Sequence, residues 1–261
     1  MNGYNPYNGQ AKHRILDANI NVLPWAVVLA IIKTWGENKA SRYICICNVH
    51  SVVTSAGNER FREVINNADL ATPDGMPLVW LMRLAGYSDQ QRINGPDLMW
   101  RYCEQIAKIG NSIFLYGSTE ETLARLETCL KSAFPSLVIA GAISPPFRHL
   151  SEQEDDDITE KINRSGAGVV FVGLGCPKQE LWMAAHRGKI NAVMIGVGAA
   201  FDYHAGTIKR APKWMQNAGL EWFYRLASEP RRLWKRYLIT NTLFVYYLVA
   251  SMFRRKRGSQ I

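Results

Sequence analysis

The chain is 261 residues long, 48% hydrophobic and 20% charged, which excludes an intrinsically disordered segment and provides enough apolar surface for a core. Its net charge of +9 is placed unevenly: from Thr207 to Gln260 twelve Lys or Arg face only Glu221 and Glu229, so residues 1–206 are close to neutral. Five cysteines without a Cys-x-x-Cys pair or His at zinc spacing argue against a zinc site and for a reducing cytoplasm.

Met1 to Gln10 is polar, and the apolar run from Leu23 to Ile32 contains Pro24 near its start and stops at Lys33, the pattern of a buried helix and not of a cleavable signal. From about Arg42 onward, short apolar β-branched runs alternate with helical patterns, as βα units around a mostly parallel sheet do. Strands are predicted over Tyr43 to Cys47, Ser112 to Tyr116, Leu137 to Ala140, Gly168 to Val172 and Ala192 to Val197. The clearest helix runs from Glu120 to Ala133, where Leu123, Leu126 and Leu130 recur at helical spacing after a capping box of Ser118 and Glu121. The predicted class is α/β, with a Rossmann-like, mostly parallel sheet flanked by helices and a basic helical C-terminal appendage. A division into a catalytic body of residues 1–206 and an appendage of residues 207–261 is drawn at Gly206 to Pro212, where the alternation stops.

Three predicted strands end in glycine turns, at Gly117-Ser118, Gly173-Leu-Gly175 and Gly196-Val-Gly198. Singly, each is an ordinary tight turn. Together, at the carboxyl ends of parallel strands, they point to a nucleotide or phosphorylated ligand approached by backbone amides and helix N-termini. No Gly-x-Gly-x-x-Gly follows these strands and no phosphate-binding Gly-x-x-x-x-Gly-Lys-Ser/Thr is present, so neither dinucleotide nor P-loop chemistry is indicated.

Asp74, held between Pro73 and Gly75, reads either as the cap of a helix starting near Met76 or as a general base. In Arg92-Ile-Asn-Gly-Pro-Asp97, Pro96 and Asp97 suit a helix start, while Arg92 is a candidate for a diphosphate. Pro177 opens a helix that presents Lys178, Gln179 and Glu180 in its first turn, and a lysine there is disfavoured unless an anion is near. Cys176 has no base near it in sequence and reads as a packed thiol. Asp202 and His204 are either an acid–base pair or a turn residue and a surface imidazole, and the five histidines show no metal-ligand spacing.

Taken in order, Thr72-Pro-Asp-Gly-Met-Pro77, Arg92-Ile-Asn-Gly-Pro-Asp97, Gly173-Leu-Gly-Cys-Pro-Lys-Gln-Glu180, Gly196-Val-Gly-Ala-Ala-Phe-Asp202, Arg210-Ala-Pro-Lys-Trp214 and Gly219-Leu-Glu-Trp-Phe-Tyr-Arg225 resemble the WecG/TagA/CpsF glycosyltransferases over roughly Tyr43 to Tyr237. The resemblance implies an inverting transfer, without a metal or other cofactor, of a hexose, N-acetylhexosamine or uronic-acid unit from a UDP-sugar. The implied acceptor is a polyprenyl-diphosphate-linked sugar in exopolysaccharide, teichoic acid or common-antigen type biosynthesis. It implies Asp74 as base, with Arg92 and Gln179 handling donor or acceptor. The donor site would draw on Asn48, Gly75, Asn94, Asp97, Gly117, Ser118, Gly173, Gly175, Lys178, Gly196, Gly198 and Asp202. Arg225 and Arg232, with Arg231 and Arg236 alongside, would close over the phosphates. Where relatives commonly carry Thr-x-Asn after the first main strand, this chain has Ile46-Cys-Asn48, which removes one hydroxyl from the expected site.

Residues Leu238 to Phe253 are free of charge and bounded by Arg231, Arg232, Lys235 and Arg236 on one side and Arg254 to Arg257 on the other. The run is shorter than the about twenty apolar residues a spanning helix needs and includes Thr240, Asn241 and Thr242. It suits an anionic membrane surface, which would make the protein peripheral on the cytoplasmic face of the inner membrane. The rival is a core or oligomer-packing helix, with homo-oligomerisation as a further expectation. Two other classes remain: a nucleic-acid-binding protein using the basic aromatic tail, which leaves the glycine-ended strands unexplained, and a nicotinamide-cofactor enzyme, which lacks the fingerprint. No nucleic-acid partner is expected.

Overall fold

A computed structural model describes residues 11–258, with side chains to Ser251. The described chain opens with an antiparallel hairpin, β1 (Lys12–Ile15) and β2 (Ala18–Asn21), followed by α1 (Trp25–Glu37). The alternation continues as β3 (Arg42–Cys47), α2 (Val49–Gly57), α3 (Glu59–Asn66), β4 (Leu70–Pro73), α4 (Met76–Leu84) and α5 (Gly95–Ile106). Next come β5 (Ser112–Gly117), α6 (Glu120–Ala133), β6 (Val138–Ile143), α7 (Glu152–Ser165), β7 (Val169–Gly173), α8 (Lys178–His186), β8 (Val193–Gly196) and α9 (Ala200–His204). The appendage holds α10 (Lys213–Asn217), α11 (Glu221–Ser228) and α12 (Pro230–Gly258).

Strands β3 to β8 form one six-stranded sheet in the order β4-β3-β8-β7-β5-β6, and every neighbouring pair is parallel. All six carboxyl ends therefore share one edge. Because a strand turns successive side chains to opposite faces, each central strand feeds two cores. Ile44, Ile46, Ile113, Leu115, Val169, Phe171, Val193 and Ile195 pack on one face with α1, α5 and α6 through Ile31, Met99 and Leu126. Tyr43, Cys45, Cys47, Phe114, Tyr116, Val170, Val172 and Met194 pack on the other with Val52, Phe61, Ile158 and Met183 from α2, α3, α7 and α8. Burying a Val, Leu, Ile, Phe or Met side chain contributes about 1.5–3 kcal/mol of transfer free energy, so burial on both faces stabilises the interior strands beside their ladders. The appendage joins the second core through Phe244 of α12.

The strand β4 and the hairpin are additions to the sequence reading. Leu70-Ala-Thr-Pro73 is four residues long and ends in proline, so periodicity carries little signal; it serves as an edge strand, where proline is tolerated. The cap of α6 also differs. Thr119, not Ser118, accepts from the Thr122 amide, because Ser118 has φ 59° and belongs to the turn before the helix. Helix α1 begins at Trp25 and buries Val28, Ile31, Ile32 and Trp35, in keeping with a buried helix.

Candidate active site

The carboxyl edge of the sheet gathers the motifs. Asp74 follows β4, and its amide donates to the Cys47 carbonyl at 2.7 Å, which extends the β3–β4 ladder by one step. The Ile93 amide donates to the Pro73 carbonyl at 2.9 Å, so the segment before α5 runs beside the end of β4 and brings Arg92 onto Asp74. Asp74 is no helix cap: Gly75 occupies the cap position of α4 and no side chain caps it. Instead its Oδ1 accepts from Arg92 Nη2 at 2.9 Å and Nε at 3.2 Å, and Arg92 Nε also donates to the Asp74 carbonyl. Burial pushes the Asp74 carboxyl above its ordinary range, and the Arg92 guanidinium opposes that push.

The pair continues into the appendage. Arg92 Nη2 donates to Glu221 Oε2 at 2.6 Å, and Glu221 Oε1 lies 3.9 Å from Arg210 Nε. Arg210 donates to Asp97 Oδ1 at 2.5 Å and to Asn94 Oδ1 at 3.0 Å, and Lys213 reaches Asp97 at 3.9 Å. Asn94 caps α5 by accepting from the Asp97 amide and donates to the Asp97 carboxylate at 2.8 Å. Burial alone would raise Asp97, but hydrogen bonds from Arg210 and Asn94 hold it down at about 2. The result is one line of alternating charge from body to appendage: Asp74, Arg92, Glu221, Arg210, Asp97, Lys213.

The glycine turns sit beside this line. Gly117 adopts φ +125°, and a Cβ there would meet the Gly173 backbone at 2.6 Å; a Cβ on Gly173 would meet the Phe201 ring at 2.8 Å. These two glycines are thus required by the close approach of β5, β7 and α9. Gln179 is buried and links two turns, its Oε1 accepting from the amides of Gly175 and Gly198 at 3.1 Å each while Nε2 donates to Glu180. A Cβ on Gly196 would lie 2.9 Å from that same Nε2. Gly75 caps α4 without any such crowding. Ser118 donates its amide to the Gly173 carbonyl, and Lys178 is exposed at the N-terminus of α8. Asn48 caps α2 in a reciprocal box with Ser51.

Asp202 and His204 do not pair. The His204 Nε2 faces the Pro96 carbonyl at 2.9 Å, and its ring stacks on Trp100 at 5.1 Å. Asp202 instead feels the charges of Arg225 and Arg232, which oppose the rise that burial imposes on its carboxyl. Arg225 lies over the Tyr203 ring at 5.7 Å, and the Nε atoms of Arg225 and Arg236 are buried without a hydrogen-bond partner among the described residues. Arg231 is exposed, and Arg232 pairs with Glu229. Burial drives the Cys176 thiol far up, in keeping with a packed thiol.

Two acids that stand in the sequence motifs were not among the candidate site residues. Glu180 is 1% exposed, its Oε2 has no hydrogen-bond partner among the described residues, and burial raises its carboxyl above the ordinary range. Glu221 stood in the Gly219 to Arg225 motif and as one of two acids in a basic tail, with no role given to it. Nothing in the sequence pairs it with Arg92 129 positions away.

The fold is an α/β protein with a parallel sheet whose carboxyl edge gathers the sequence motifs. The profile described as the Glycosyl transferase WecG/TagA/CpsF family matches residues 13–258, and the chain belongs to that family of glycosyltransferases. It is similar to the N-acetylglucosaminyldiphosphoundecaprenol N-acetyl-beta-D-mannosaminyltransferase of Bacillus subtilis, at 31% identity over 87% of this chain and 86% of the relative. Its similarity to the protein of the same name from Bacillus spizizenii is 31% over 78% of each chain. Among the described residues, no helix is long and apolar enough to cross a membrane.

Proposed function

We propose that this glycosyltransferase moves a sugar from a UDP-sugar to a polyprenyl-diphosphate-linked sugar with inversion, and that Asp74 is its base. The observation that carries the reading is the Asp74 carboxylate at the carboxyl edge of the sheet, raised by burial and gripped from one side by Arg92. In the reaction, the acceptor hydroxyl oxygen forms a bond to the anomeric carbon as the bond from that carbon to the diphosphate breaks. UDP leaves with the electron pair, and the hydroxyl proton passes to Asp74. The charge of the departing diphosphate would be met by Arg225, Arg232 and Arg236 and by the N-terminus of α8 with Lys178, in place of a metal. The Nε atoms of Arg225 and Arg236, buried with no hydrogen-bond partner among the described residues, support that role.

The relatives' printed activity makes N-acetylmannosamine the first donor sugar to test and a diphosphate-linked N-acetylglucosamine lipid the first acceptor. Docking on the cytoplasmic face of the inner membrane is supported by the exposed Trp214, Trp222, Phe223, Trp234, Leu238 and Tyr246, together with the appendage's cations. A panel of UDP-sugars against a short-chain lipid-linked acceptor, read by mass spectrometry, identifies the donor. With that donor, Asp74→Asn keeps UDP binding by calorimetry and loses about 10³-fold in turnover. Turnover at the wild-type rate in this variant would remove Asp74 from the base role.

A further inference from the structure

A base that is locked to an arginine is a poor base, because each charge-assisted hydrogen bond to the carboxylate lowers its affinity for a proton. Asp74 meets Arg92 through two guanidinium nitrogens, yet the nearer of them, Nη2, is shared. It lies 2.9 Å from Asp74 and 2.6 Å from Glu221, so the shorter bond points away from the base. Glu221 Oε1 also lies 3.9 Å from Arg210 Nε, and its side chain is only 15% exposed. It is presented by the turn at Gly219, which has φ +72° and lies so close to α4 that a Cβ there would meet Trp80 at 2.8 Å. Since α4 starts two residues after Asp74, the turn that carries Glu221 is seated on the same segment that carries the base.

We propose that Glu221 is a positioning residue for the transfer, which draws the Arg92 guanidinium off the Asp74 carboxylate and so couples seating of the appendage to the readiness of Asp74 to take a proton. The idea rests on Asp74 acting as the base. Electrostatics run in the direction it needs: burial raises Asp74 most, Arg92 and Arg210 lower it, and the Glu221 charge raises it. With the appendage lifted, Arg92 would close fully on Asp74 and hold it ionised and weakly basic.

The test uses the full chain, its identified UDP-sugar donor and the short-chain acceptor, and reads kcat against pH. Glu221→Gln keeps the shape and removes the charge. It is expected to move the acid limb of the profile down by about one pH unit and lower the plateau about tenfold, with the donor KM within about twofold. Glu221→Asp, which keeps the charge, is expected to recover most of the loss. Arg210→Gln removes an opposing cation and releases Glu221 to Arg92, so it is expected to move the acid limb up. A merely structural defect would move both profiles the same way or neither. An acid limb unmoved in Glu221→Gln and Arg210→Gln, beside an inactive Asp74→Asn, overturns the coupling and leaves the base intact. Full turnover in Asp74→Asn removes the base and the coupling with it. Loss of the fold in both charge variants, seen by circular dichroism, would mean that the network only holds the appendage in place, which also overturns the proposal.

Discussion

Phe171 in β7 and Phe244 in α12 are both large aromatic side chains turned inward, and their surroundings differ. Phe171 is fully buried in a strand whose neighbours on either side are also buried. Phe244 is followed at once by Val245 and Tyr246, which are 59% and 64% exposed. In α12 one stripe, Thr240, Leu243, Phe244, Tyr247 and Leu248, is turned to the body with the spacing of a helix face, while Trp234, Leu238, Val245 and Val249 form a second apolar stripe in solvent. The body is held by two layers of apolar contact. The appendage is held by one apolar stripe of α12, by the Gly219 turn on Trp80 and by the ion pairs of Glu221 and Arg210 with the body, and it leaves a second apolar stripe uncovered.

The largest expected effect cuts the two regions apart. Deleting Leu238 onward removes Arg254 to Arg257, whose side chains lie outside the described residues, along with the exposed stripe. At about 1 kcal/mol per cation, partitioning onto anionic vesicles falls by about 10³-fold before the apolar loss is counted. Co-sedimentation of the truncated chain at the wild-type level would locate membrane contact elsewhere. Next, if the buried Nε atoms of Arg225 and Arg236 meet the departing diphosphate as proposed, Arg225→Ala and Arg236→Ala each lower kcat/KM by about 10²-fold with UDP-sugar, whereas Arg231→Ala, at an exposed position, has little effect. Equal effects from all three would mean that only the net charge of the tail matters.

A smaller effect tests how independent the regions are. Phe244→Ala weakens docking of α12 by about 2 kcal/mol and raises hydrogen exchange along that helix, leaving the global urea midpoint nearly unchanged. Phe171→Ala costs about 4 kcal/mol and lowers the global midpoint. If both lower that midpoint together, body and appendage unfold as one unit and the contrast fails.

The same contrast explains what was legible beforehand. Central strands such as β5 and β7 are buried on both faces and announce themselves as apolar β-branched runs, and α6 shows its leucine stripe. The edge strand β4 and the hairpin strands β1 and β2 are four residues each, so the alternation of Ala-Asn-Ile-Asn is too short to stand out and Leu-Ala-Thr-Pro has none. In the site, Asp74 and Arg92 stand in local motifs with constrained backbones and could be named one by one. Their pairing depends on where β4 and the start of α5 meet in space. Glu221 depends on the path of the appendage across the body, which no local pattern encodes. The glycine turns were readable as turns, but the close approach that requires Gly117 and Gly173 appears only once β5, β7 and α9 are stacked.

The smallest expected effect is acid release of the appendage alone. His50 of α2 lies under α12, where Thr240 Oγ1 is 3.4 Å from its Nδ1. Burial, and after it the nearby charge of Arg236, lowers the imidazole to about 4 from its ordinary 6.5. The folded form therefore prefers the neutral ring, so stability present above about pH 6.5 is lost as pH falls toward 4. At pH 5 the loss is about 1 kcal/mol after allowing for solvent around a partly exposed ring. Because the ring contacts α12, the loss falls on docking of the appendage, and protonation adds a second cation beside Arg236. Protease cleavage before α12 should rise between pH 6.5 and pH 5 while core amides stay protected, and His50→Gln should flatten that rise. Acid-induced exchange that begins in β3 or β7 instead would show that the body, not the appendage, yields first.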